Sequence, residues 1–249
     1  MRKPVIVANW KMYKTPAQAL GFVKSFLPLA AEHDRDEIVL CPSIISLPAV
    51  ITATAGAKVI VGAQNMHYAD EGAFTGETSP PMLKAIGVTH VIIGHSEPRQ
   101  YFAETDEIVN QKVHAAIKHG LIPILCIWEI LEELETGKTE EVLRRQVEKA
   151  FKGVVPETAE SSILAYTPVW ATGTGKIATP GMVAIAHFHI RTEIARLLGR
   201  NAAECIRVLY GGSVRPSNAS TLLAQPEIDG VLVGGASLDP HSFAKIVNY

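Results

Sequence analysis

The chain has few cysteines, few aromatic side chains and almost no net charge. Cys41, Cys126 and Cys205 are odd in number and far apart. They offer neither a disulfide framework nor a zinc-ligand spacing, and each lies in or beside an apolar run. Reduced core residues of an intracellular protein are therefore expected. With 23 Lys and Arg against 25 Asp and Glu, the formal charge is −2, which gives no attraction for nucleic acid or an anionic membrane. The opening segment MRKPVIVANWKMYK lacks a long apolar stretch, and no run reaches the length of a membrane span. A cytoplasmic location without a membrane partner is expected. No GxGxxG follows the first apolar run, and no linker or shift in composition divides the sequence, so residues 1–249 read as one domain. No His/Cys/Asp group has metal-ligand spacing, and neither a metal nor a cofactor is expected.

Hydrophobic material is plentiful, at 47% of the 249 residues. It falls into eight short runs: VIVANW (5–10), IVLCP (38–42), KVIVGAQN (58–65), HVIIGHS (90–96), IPILCIW (122–128), SILAYTPVW (162–170), CIRVLYGG (205–212) and GVLVGGAS (230–237). These are continuous and rich in Val and Ile, as in strands of a parallel sheet buried on both faces. Helical patterns lie between them. Thr15-Pro16 and Thr179-Pro180 supply an N-cap followed by Pro in the first turn. Further helices begin at Asp106, stopping at Gly120, and at Thr139, ending near Gly153. The helix from Pro180 carries an apolar stripe of Val183, Ala186, Ile190, Ile194 and Leu197 before Gly199. A β-then-α unit repeated about eight times has the size and rhythm of an α/β (β/α)8 barrel. A doubly wound open sheet is the competing architecture, and the missing GxGxxG speaks against it.

Functional groups of such a barrel gather at the C-terminal ends of its strands. Those ends carry Asn9, Lys11, Gln64, Asn65, His95, Glu97, Glu129, Thr167, Ser213, Gly234 and Gly235. Any one of them alone is an ordinary structural polar group, but several converging on one rim with a lysine make a site. Gly173-Thr174-Gly175, Gly211-Gly212-Ser213 and Gly234-Gly235 follow the last three strands. Their exposed backbone N–H groups suit a phosphate, so a small, phosphorylated ligand is expected.

In order along the chain, NWKM (9–12), AQN (63–65), EGAFTGE (71–77), IGHSE (93–97), PVWATGTGK (168–176), YGGSV (210–214) and GGASL (234–238) resemble the motifs of the triosephosphate isomerase family. The resemblance covers the whole chain. It implies a single-domain TIM barrel, usually dimeric, with a phosphate-gripping lid through 168–178. It further implies substrate binding by Asn9 and Lys11, with the lysine charge near oxyanion and phosphate. His95 would be a neutral electrophile shuttling protons between substrate oxygens, the role this family is known for. Segment 64–80 is similar to the long third loop by which subunits of the family interdigitate, so a homodimer is expected.

At one position the resemblance fails where it matters most. The family's catalytic carboxylate belongs in a Tyr-Glu-Pro-Val-Trp segment, and this chain reads Tyr166-Thr167-Pro168-Val169-Trp170. A threonine hydroxyl is too weak an acid to cycle as a proton carrier near neutral pH, and general base catalysis typically contributes roughly 10²–10⁴-fold. Interconversion of glyceraldehyde 3-phosphate and dihydroxyacetone phosphate is therefore expected to be crippled. Other departures collect near strand ends: Ser43-Ile44-Ile45, Pro98 beside Arg99, Trp128-Glu129-Ile130 with Leu134, and Thr172 in the lid. On the helix from Pro180, Ile185 and Phe188 lie off the apolar stripe and His189 stands where Phe is common. Such clustering suits an engineered or repurposed scaffold whose pocket serves a more apolar substrate, with Ile44, Ile45, Pro98, Trp128, Ile130 and Thr172 as the altered positions. A decayed natural paralogue would scatter its changes. His95, Lys11, Glu97 and Glu129 remain as titratable groups for catalysis, with Cys126 read as core. The alternatives are a residual isomerase and a non-catalytic binder of phosphorylated ligands or of a protein partner through Trp128, Ile130 and Leu134.

Overall fold

The computed structural model describes residues 2–171 and 178–249. Eight strands form one closed ring: β1 (Val5–Asn9), β2 (Glu37–Cys41), β3 (Val59–Ala63), β4 (His90–Ile93), β5 (Ile122–Glu129), β6 (Ile163–Pro168), β7 (Arg207–Tyr210) and β8 (Gly230–Val233). Every neighbouring pair is parallel, and β8 returns to β1 with Val5 opposite Gly230. All eight apolar runs become strands. Most are shorter than the runs, because the terminal polar and glycine residues leave the ladder to make the rim.

Alternation along the strands sorts the core into two shells. Val5, Val7, Val39, Cys41, Ile92, Ile124, Cys126, Ile163, Ala165, Leu209 and Leu232 fill the inside of the ring. Residues of opposite parity, such as Ile6, Leu40, Val91, Leu125, Leu164 and Val208, pack outward under the helices. The inward parity continues to the C-terminal mouth, and there it places Asn9, Trp128, Thr167 and Gly211.

The helices are α1 (Pro16–Phe26), α2 (Leu47–Ala53), α3 (Pro80–Ala85), α4 (Ser96–Tyr101), α5 (Asp106–Lys118), α6 (Leu131–Glu135), α7 (Thr139–Ala150), α8 (Pro156–Ala159), α9 (Pro180–Cys205), α10 (Ala219–Leu223) and α11 (Pro240–Val247). The hydroxyls of Thr15, Thr105 and Thr179 accept the N–H groups of Gln18, Ile108 and Met182, and so cap α1, α5 and α9. Helix α9 is broken at Gly199, whose φ of 88° only glycine adopts without strain. Among the described residues, no helix is long and apolar enough to cross a membrane.

One expectation about the core fails. Cys41 and Cys126 are buried inside the ring, whereas Cys205 is exposed. It ends α9, outside β7, so the run that begins with it enters the barrel only at Arg207.

Candidate functional site

A cavity of about 420 Å³ opens at the C-terminal mouth. One wall is made by Asn9, Lys11, His95, Ser96 and Glu97, and the opposite wall by Gly211–Arg215 and Gly234–Ala236, with Thr167, Val169 and Leu232 also facing the space. Residues far apart in sequence thus meet because consecutive parallel strands all end on this side.

Lys11 is held in an unusual posture. Its φ of 50° lies in the left-handed region, a cost accepted where surrounding structure fixes the residue. Its N–H donates to Asn9 Oδ1 at 3.1 Å, and its carbonyl accepts from Gln64 Nε2 at 2.9 Å. The ammonium reaches Glu97 Oε1 at 2.6 Å. Gly234 lies close along the lysine stem, since a Cβ there would meet Lys11 Cε at 3.6 Å. The positive charge therefore sits beside the glycine backbone of the opposite wall.

His95 follows β4 and caps α4, its Nδ1 accepting the Glu97 N–H at 3.2 Å. An acceptor at Nδ1 leaves the proton of the neutral ring on Nε2. Burial holds the imidazole below its usual pKa; Glu97 and Glu104 oppose that shift and Lys11 adds to it. The ring is thus a neutral N–H donor at neutral pH. Its strand end is braced twice at Gly94: the N–H donates to Glu104 Oε1 at 3.0 Å, and the carbonyl accepts from Arg99 Nε at 3.0 Å. Glu104 is in turn paired with Lys112, whose ammonium also meets Asn65 Oδ1 at 2.9 Å. Glu104 and Lys112 were not singled out in the sequence. The available signal was a lysine on the buried face of α5, which requires an anion beside it.

Thr167 is only 8% exposed and faces the cavity from β6. A side chain on Gly211 would collide with its Oγ1, so β6 and β7 close together here only because position 211 has none.

Glu129, expected at the rim, is fully buried and does not line the cavity. Its Oε1 accepts from Tyr166 Oη and Trp170 Nε1, each at 2.8 Å. Burial pushes its pKa up, and the two donors only partly offset this. Its strand parity is outward, so the carboxyl ties β5 to β6 and to the turn after it, and does not face a ligand.

The positions expected to remodel the pocket are dispersed. Ile44 lines a second cleft of about 300 Å³ with Met12, Ser43 and Gln64, and Ile45 is 67% exposed, because the chain turns outward after β2. Pro98 lies in α4, its carbonyl accepting from Phe102 and Glu104 N–H groups. Ile130 leads into α6, with its N–H on Glu133 Oε2 at 2.9 Å. Trp128 stands opposite Thr167 in the ladder, and its backbone is clasped by Gln146 of α7 through bonds of 3.0 and 2.7 Å. None of these five residues lines the cavity. Thr172 and Gly173 lie outside the described residues, while Ser213, Gly234 and Gly235 do line it. Among the described residues, no group of His, Cys, Asp and Glu is arranged to hold a metal.

A site of this kind can hold an anion against backbone amides and a lysine, and it can present a neutral N–H to a carbonyl oxygen. The family model for triosephosphate isomerase matches residues 4–249. The chain belongs to the triosephosphate isomerase family. Its sequence is 54% identical to the triosephosphate isomerase of Solibacter usitatus over 249 residues, covering all of both chains. It is 50% identical to that of Caldanaerobacter subterraneus, again over all of both. The crystal structure of triosephosphate isomerase from Bartonella henselae is similar with a TM-score of 0.88 at 39% identity, covering 98% of this chain and 97% of that one. Membership in the triosephosphate isomerase family therefore extends over every strand of the barrel and every wall of the cavity.

Proposed function

We propose that the cavity binds small phosphorylated carbonyl compounds of triose size, and that the chain interconverts glyceraldehyde 3-phosphate and dihydroxyacetone phosphate only slowly. The observation that carries this reading is the content of the cavity. Glycine backbone, Lys11 and the His95 Nε2–H converge on it, but its carboxylate, Glu97, is already engaged by Lys11 at 2.6 Å. In this reading Ser213, Gly234, Gly235 and, from outside the described residues, Gly173 receive the phosphate. Asn9 and Lys11 fix the carbonyl end. His95 donates to the oxygen on which negative charge develops. Thr167 occupies the segment where the family carries its base, and it can hydrogen-bond but cannot remove a proton from carbon.

A larger, more apolar substrate in an engineered pocket has weaker support, because Ile44, Ile45, Pro98, Trp128 and Ile130 do not line the cavity. We also propose a homodimer. Exposed apolar side chains follow each of four consecutive strands: Met12 after β1, Ile45 after β2, Phe74 after β3, and Tyr101 and Phe102 after β4. These segments share one side of the mouth, and covering them against a second copy would remove that surface from water. The free thiols accord with a cytoplasmic protein.

Steady-state turnover of both triose phosphates, measured beside the binding of inorganic phosphate, tests the site. Phosphate should bind, while turnover falls below that of carboxylate-bearing relatives by roughly 10²-fold or more. Turnover in the common enzyme range of about 10–10³ s⁻¹ would overturn the reading.

A further inference from the structure

The side chain at position 167 is confined from both sides. In the β5–β6 ladder Trp128 stands opposite Thr167. Register partners in a parallel pair point to the same face, with strands about 4.8 Å apart. That face is the inward one, because Cys126 and Ala165, two residues earlier on each strand, belong to the inner core cluster. On the other side stands Gly211 at the end of β7, so close that a methyl group there would strike Thr167 Oγ1. One flank is therefore backbone already at its limit, and the other is an indole.

The indole is not held there by a polar contact. Its Nε1 is buried and has no hydrogen-bond partner among the described residues. Leaving a buried donor unpaired is unfavourable. What is fixed is the backbone of Trp128, whose N–H and carbonyl both meet Gln146 of α7, and with it the strand position from which the indole projects.

We propose that Trp128 is a positioning residue, acting as a lateral wall that limits the length of the side chain at position 167. A carboxylate-bearing side chain there cannot settle toward the cavity unless the indole is cut back. Trp128 and Thr167 form one unit, and neither can be exchanged alone without loss. The inference rests on the reading of the site given above, since it specifies what stops a base from being restored at that site.

The test is a cycle of four proteins: the parent chain, Thr167→Glu, Trp128→Gly and the double variant. Each is measured for thermal midpoint, for triose phosphate turnover and for binding of inorganic phosphate. Thr167→Glu alone should lose about 5 °C or more, as overpacked interiors do. In the Trp128→Gly background the same change should cost less than half of that. Turnover of the double variant should exceed that of Thr167→Glu by about 10-fold or more. Thr167→Gln, of equal length without charge, should show the same thermal coupling, and Trp128→Ala replaces Trp128→Gly if the glycine variant does not fold. The proposal is overturned if Thr167→Glu keeps the parent midpoint and turns over as fast as the double variant, which would mean that the unpaired indole N–H accommodates the new carboxylate. Thermal coupling with an inactive, phosphate-binding double variant would uphold the wall and overturn the reading of the site as an isomerase lacking only its base.

Discussion

At the scale of single residues, the most consequential polar group lies behind the cavity. Glu129 gathers two donors on one oxygen while its second oxygen has no partner among the described residues. Glu129→Ala would take the acceptor from the buried Tyr166 hydroxyl, and a loss of roughly 2–3 kcal/mol is expected, seen as a midpoint lower by about 5–10 °C. Glu129→Gln keeps an oxygen for these donors and should lose much less. His187 gives a second residue-scale expectation. It is fully buried, with Nδ1 on the Glu227 carbonyl at 3.0 Å, and burial lowers its pKa to about 4. The unfolded chain takes up a proton near the ordinary value of about 6.5, while the folded chain resists until about 4. Its contribution is therefore complete above about pH 6.5 and is lost as pH falls toward 4. The full span is roughly 3 kcal/mol. Denaturant unfolding at pH 7 and pH 4.5 should show the decline, and His187→Phe should remove this component of it.

At the scale of elements, the strands and the rim were legible and the shorter pieces were not. Runs such as IVLCP and HVIIGHS announce two-sided burial by composition alone. Thr15-Pro16 and Thr179-Pro180 announce helix starts through chemistry that acts within four residues. By contrast, α2, α3 and α10 are too short to show a period, and they form because the barrel offers them a surface. The same limit explains Glu129. Sequence places it at a strand end, but one step of parity decides whether a side chain meets the ligand or the layer behind it. Gln146 is a further example, since its grip on β5 depends on where α7 packs. Backbone constraints make a sharper test at this scale. Gly230 opens β8 at φ 145°, and a Cβ there would collide with the Val5 carbonyl. Gly230→Ala should destabilise by about 3 kcal/mol or more, or prevent folding. Gly21 lies inside α1 with nothing within 4 Å of an added Cβ. Gly21→Ala should therefore raise stability, by up to about 1 kcal/mol. Chemical denaturation of both variants would check the contrast.

At the scale of the whole molecule, association and opening are the two behaviours to predict. Phe102 is 81% exposed and Met12 96% exposed on the same side of the mouth. Sedimentation at micromolar concentration should show a dimer, and Ile45→Lys together with Phe102→Lys should shift it toward monomer. A single monomeric species in the parent chain would overturn the pairing. The three thiols then supply a clock. Burial raises the pKa of Cys126 to about 12 and that of Cys41 still further, inside a ring closed on every side, whereas Cys205 stands in solvent. An alkylating reagent added to the native protein should attach once, at Cys205. The next two attachments must wait until the ring of strands parts. Counting them by mass against time would read how often the barrel comes undone, with its own buried thiols as the reporters.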